Sequence, residues 1–151
     1  MRQILLIILP VVLIAACDHG LQPPADAGIG SIQGSIIYIG EWPPETELND
    51  LRFVAMRFVP TDTVDFFRLN EMEISAGLVT NVESGVFAIN SAQVGTYFYS
   101  GIAQQFEDNL FSWRPVGLYT ANGGIFSVSR GETVTISIVV DFQDIPIFPP
   151  Q

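Results

Sequence analysis

The sequence predicts an all-β fold, an antiparallel β-sandwich of about seven strands. Three observations carry the prediction. From Ser31 onward apolar residues recur with period two rather than with the 3.6-residue spacing of a helix. The runs are short. Gly, Pro, Asn and Asp separate them, the residues that supply turn conformations or break a ladder.

The last run is the clearest. Val134, Ile136, Ile138, Val140 and Phe142 alternate with Thr133, Thr135, Ser137, Val139 and Asp141, so one face is apolar and the other mostly polar. In the first run Ile32, Gly34, Ile36 and Tyr38 oppose Gln33, Ser35, Ile37 and Ile39, so its end is apolar on both faces and is expected to be covered. Between them, strands are expected near 51–59, 84–89, 96–103, 115–119 and 124–128. A weaker one lies near 73–79, where Gly77 interrupts the pattern. Turn chemistry falls between these runs at Glu41-Trp42-Pro43-Pro44, Pro60-Thr61-Asp62, Ala121-Asn122-Gly123-Gly124 and Ser129-Arg130-Gly131-Glu132. Residues 143–151 form a Pro-rich C-terminal tail, whose prolines exclude a central strand.

Composition removes several function classes. Sixteen acids face six bases, all arginine, for a net charge of −10. Nucleic acid is not an expected partner, because phosphate binding needs a basic surface that displaces counterions. Cys17 is the single cysteine, which excludes a disulfide framework and a Cys-rich zinc site. His19 is the single histidine, and it falls in a polar, Pro/Gly-bearing stretch outside the strand-forming region.

The N-terminus explains that cysteine. Met1-Arg2-Gln3 is a short basic start, and Ile4 to Ala16 is apolar apart from Pro10. A helix of that length spans roughly 20 Å, against ~30 Å of hydrocarbon, so residues 1–16 read as a signal peptide. Leu13-Ile14-Ala15-Ala16-Cys17 resembles the bacterial lipobox, which implies that Cys17 is the lipid attachment site. Several acyl chains, as with palmitate, hold a protein to a membrane where one does so only marginally. Residues 17–30 then form the lipidated cysteine and a flexible tether, and residues 31–142 the sandwich domain. Loss of Arg2 with the signal would leave five arginines against sixteen acids. Anionic lipids repel such a domain. The expected location is the cell envelope, with the domain outside the cytoplasm and the choice of inner or outer membrane open.

Two further stretches resemble carboxypeptidase regulatory-like, transthyretin-like domains. Gly30-Ser31-Ile32-Gln33-Gly34-Ser35-Ile36 followed by Glu41-Trp42-Pro43-Pro44 is similar to their opening strand. Ser91 to Ser100 is similar to their later "pGtY" turn, and Val128 to Val134 to their last element. Small lipoproteins of Bacteroidota-type bacteria carry one such domain behind a lipobox. The segment 61–80 departs from this pattern by its length and acidity. The resemblance implies a transthyretin-like sandwich and carries over no catalytic residues.

The search for chemistry returns little. Serine- or cysteine-based catalysis would need His19 or Cys17, and no P-loop, dinucleotide fingerprint or HExxH is present. No enzyme activity and no cofactor are expected. Oxygen-rich loops make Asp62, Asp65 and Asp108 candidate calcium ligands, although the spacing is not that of a dedicated calcium loop. Phe66, Phe67, Phe106, Phe111 and Trp113 fall in connections, and Trp42 sits beside two prolines. Exposed, such aromatics anchor partners or stack on sugars; buried, they fill the space between sheets. Trp42, Phe66, Phe67 and Trp113 are therefore the candidate contact residues. The expected function is a non-enzymatic interaction or scaffold module, held to the membrane by lipid and engaging an envelope protein. The alternative is a module that binds a glycan or other small ligand through loop aromatics.

Overall fold

The structure is a computed structural model that describes residues 28–150. The signal peptide, Cys17, His19 and most of the tether lie outside the described residues. Nine strands occur among the described residues: β1 (Ile29–Ile39), β2 (Asp50–Met56), β3 (Met72–Ile74), β4 (Ser84–Gln93), β5 (Gly95–Tyr97), β6 (Tyr99–Gln105), β7 (Trp113–Leu118), β8 (Phe126–Val128) and β9 (Thr133–Asp141). They form a three-stranded sheet in the order β4-β1-β9, a four-stranded sheet in the order β3-β2-β6-β7, and a small β5-β8 ribbon. The fold is the all-β sandwich that the sequence predicts.

Pairing is antiparallel except between β1 and β9, which run parallel from Ser31↔Thr133 to Ile39↔Asp141. Parallel neighbours need a long crossover, which here is the whole intervening chain. Period-two alternation is the same for either direction, so it does not reveal this pairing.

The core lies between the sheets. Ile32 and Ile36 of β1, Phe87 of β4 and Ile136, Ile138 and Val140 of β9 meet Leu51 and Phe53 of β2, Ile102 of β6 and Val116 of β7. Phe87 crosses the gap and stacks on Phe53 at 4.0 Å between ring centroids. Gly34, paired with Phe87, makes room for that ring: a Cβ there would collide with the ring and lie 2.5 Å from the Ile136 carbonyl oxygen.

Several details differ from the sequence expectation. Strand β1 begins inside the expected tether, because Ile29 and Gly30 already pair with Gln93 and Ala92. The single run expected over 96–103 splits at Phe98: Tyr97 is buried in the small ribbon, and Tyr99 opens β6. The weak 73–79 strand shortens to β3, beyond which Ser75 and Leu78 donate their amides to Phe53 and Leu51 carbonyls. The end of β1 is not covered within the described residues: Ile37 and Ile39 are exposed, as is Val139 beside Ile37. The strand enclosed on both faces is instead β2. The tail is not free either, since Ile145 packs on the main core and Phe148 rests on Phe66 at 5.1 Å.

Gly34→Ala should cost about 1–3 kcal/mol through overpacking against Phe87. The exposed neighbouring change Ser35→Ala should stay within about 0.5 kcal/mol. Urea denaturation of both variants measures the difference, with an unchanged slope expected.

Candidate functional site

On β2 the alternation sends Leu51, Phe53 and Ala55 into the sandwich and Val54 and Met56 to the outer face, and all five are buried. The outer pair needs its own cover. Met72 of β3, Ala103 of β6, Phe58, Phe66, Tyr99 and Trp113 complete a second apolar cluster there. The cover is incomplete and leaves an open groove of about 440 Å³. That volume lies in the range of about 300–1,000 Å³ usual for ligand sites. Val54 and the small Ala103 lie in its lining, with Met72, Ile74 and Trp113 beside them.

Two loops form the walls. The first, residues 57–71, contains short 3₁₀ turns at Thr63–Phe67 and Leu69–Glu71. A capping box fixes it: the Asp62 carboxylate accepts the Val64 amide, and the Asp65 carboxylate accepts the Thr61 amide, the Thr61 hydroxyl and the Asp62 amide. Arg68 donates twice to Glu71, at 3.1 and 2.6 Å, and lies over the Phe58 ring at 3.7 Å. This small framework presents Phe66, Phe67 and Leu69 to the groove.

The second wall is the β6–β7 hairpin loop. Buried Ser112 staples it: its single O–H lies between the Glu107 and Asn109 carbonyls, 2.6 and 2.8 Å from the hydroxyl oxygen, and that oxygen accepts the Glu107 amide. The Asn109 side chain accepts the Phe111 amide at 2.9 Å. So held, Leu110 and Phe111 are each 71% exposed. Phe111 meets Phe67 of the opposite wall at 5.1 Å, with the rings tilted by 57°.

One end of the groove is polar. The Arg52 guanidinium pairs with the Asp50 carboxylate at 2.6 Å and donates to the Ser75 carbonyl, and Gln105 lies alongside. Among the described residues Asp50 and Arg52 are the only titratable groups in the lining, and they engage each other. The rest of the lining is apolar, so the arrangement is suited to burying apolar groups.

Three of the four candidate contact residues, Phe66, Phe67 and Trp113, converge on this groove. Trp42 does not. It lies between Tyr38 and Phe142, 4.6 Å from each ring, and donates its indole N–H to the Val82 carbonyl, closing one end of the main core. Phe106 is taken up by the Arg114 guanidinium, 4.9 Å from its ring. The calcium candidates are divided between the two loops. Asp62 and Asp65 spend their oxygens on loop amides and hydroxyls, and exposed Asp108 lies in the hairpin loop. Among the described residues no group of three or more His, Cys, Asp or Glu side chains could hold a metal ion. Cys17 lies outside the described residues.

Sequence reasoning missed Val54, Ala103, Leu69, Ile74 and Leu110. The available signal was the run Phe53-Val54-Ala55-Met56, apolar on both faces of a strand. Among the described residues no helix is long and apolar enough to cross a membrane. Compared with known proteins, the chain matches no family model, no curated protein and no solved structure.

The hydrogen bonds from Thr61, above all its amide, hold the Asp65 carboxyl below its ordinary value of 3.8. A lowered folded-state pKa stabilises above the unfolded pKa, and that contribution fades as pH falls through the folded value. Asp65→Asn should therefore melt below the parent at pH 7. The gap should close below about pH 4, as thermal melts of both proteins across pH 7 to 2.5 would record.

Proposed function

We propose that this chain is a lipid-anchored module of the bacterial cell envelope that acts without catalysis, holding an apolar part of an envelope partner in the outer groove. The observation that carries the reading is the convergence of Phe66, Phe67 and Trp113 with exposed Leu69, Leu110 and Phe111 around one concave apolar surface. Exposed contiguous apolar surface on a folded domain marks an interaction site. Stapled loops add to this, since a preorganised site loses less entropy on binding.

The lipid anchor is supported by Leu13-Ile14-Ala15-Ala16-Cys17 behind a short apolar segment. A transthyretin-like assignment of the sandwich is supported by the segments that resemble that family, which form β1, the β5 turn and the start of β9. The groove favours an apolar partner group over a glycan. Sugars need dense polar pairing beside a flat ring, whereas the polar groups here cluster at one end and Phe67 and Phe111 are tilted.

Two measurements test the reading. Cys17→Ser should lose both palmitate label and membrane pelleting, and retention of both would overturn the anchor. For the groove, the full chain in phosphatidylcholine nanodiscs is titrated with a neutral peptide, acetyl-Gln-Phe-Leu-Phe-Gln-amide. The methyl resonances of Leu69, Ile74 and Leu110 should shift saturably, while core Ile36 stays fixed. Leu110→Ser/Phe111→Ser, both at exposed positions, should weaken binding several-fold without lowering the melting temperature. Equal shifts in the variant, or none in the parent, would overturn the groove assignment.

A further inference from the structure

We infer that the occupant of the groove is a basic polypeptide segment, which inserts apolar side chains between the two loops and carries arginine or lysine on either side of them. This rests on the groove being a binding site, as proposed above, and adds the chemistry of what it binds. Charge around the mouth is the first argument. The lining and its two wall loops hold Asp50, Asp62, Asp65, Glu71, Glu107 and Asp108 against Arg52, Arg57 and Arg68; six carboxylates and three guanidiniums leave −3. All three guanidiniums are already engaged, Arg52 by Asp50, Arg68 by Glu71 and Asp65, and Arg57 by the Val94 carbonyl and the Tyr97 ring.

The charges at the polar end also exclude an anionic amphiphile. A fatty acid or acidic lipid would need a cation where its head group emerges. At the polar end the only cation among the described residues is Arg52, which a carboxylate neutralises at 2.6 Å. An incoming anion would meet the Asp50 charge at close range, and like charges held together repel.

Shape is the third argument. The groove opens to solvent between two loop walls that touch at Phe67 and Phe111, with Leu69 and Leu110 exposed at the rims. A chain crossing between the walls can place apolar side chains into the groove and leave its charged ones beside Asp62 and Asp108. Those two carboxylates lie on opposite loops, so basic residues on both sides of the apolar centre are the complement.

The test uses the full chain in phosphatidylcholine nanodiscs, with empty nanodiscs as the blank. Three peptides share a Phe-Leu-Phe centre and are flanked on both sides by Arg, Gln or Glu. Affinity should follow the order basic, neutral, acidic. At 20 mM salt the basic peptide should bind about tenfold or more tighter than the acidic one, and the ratio should shrink several-fold at 0.5 M salt. Asp108→Asn, at an exposed position, should weaken the basic peptide about twofold or more and leave the neutral one unchanged. Equal, salt-independent affinities would overturn this inference while leaving the binding groove standing, as would tightest binding of the acidic peptide. Absence of binding by all three would overturn both.

Discussion

Strand β2 is apolar on both faces, and most of what distinguishes this sandwich follows from that constraint. A sandwich strand normally buries one face and wets the other. Here Leu51, Phe53 and Ala55 serve the common core while Val54 and Met56 need a second cover on the outside. The segment 57–71 supplies it, which accounts for a connection longer than a minimal sandwich requires. Because Phe66 reaches over the cluster while Ala103 offers only a methyl group, the cover does not close. The groove is the gap between a two-faced strand and an incomplete lid.

The polar structure of the walls serves that geometry. Neither wall is a regular helix or strand, so neither can hold side chains in place by backbone ladders alone. The capping box and the Arg68–Glu71 pair do so on one side, and the buried Ser112 hydroxyl does so on the other. The ion pair is half-exposed and contributes little stability. Its role is geometric, because Arg68 bridges the Phe58 ring and Glu71 and so fixes the direction in which Phe67 and Leu69 leave the chain.

The strands were legible where one face is wet. The alternation of Thr133 to Phe142 placed β9 almost to the residue, and the first run located β1 with an error of two residues at its start. Direction of pairing was not legible, since alternation reads the same both ways along a strand. The site was legible in part. Phe66, Phe67 and Trp113 stood out as aromatics in connections, and so did Trp42, which the Pro43-Pro44 turn folds back between Tyr38 and Phe142. Nothing local separates those two fates; the distinction is made by which sheet face a loop returns to. Asp62 and Asp65 looked like ligands for the same reason that they are caps, as both roles require carboxylate oxygens on a tight turn.

The molecule has a second exposed apolar surface, and the contrast between the two separates a site from residual surface. Ile37 and Val139 lie side by side on the outer face of the three-stranded sheet, next to the Ser35–Ser137 and Gln33–Thr135 hydrogen bonds. That face is one regular pleated surface with polar pairs along the same strands, and among the described residues no loop folds over it to shape it. The groove is concave, its apolar rims stand on stapled loops, and its charges are distributed unevenly around the mouth. Holding Leu110 and Phe111 out in water opposes the hydrophobic effect. The Ser112 hydroxyl nevertheless spends both its donor and its acceptor capacity keeping the loop in that shape. A loop serving only to join β6 to β7 could turn with polar residues at its tip and need no such staple. The exposed pair is therefore held at the rim of the candidate groove by the loop's own hydrogen bonds rather than left out by the connection.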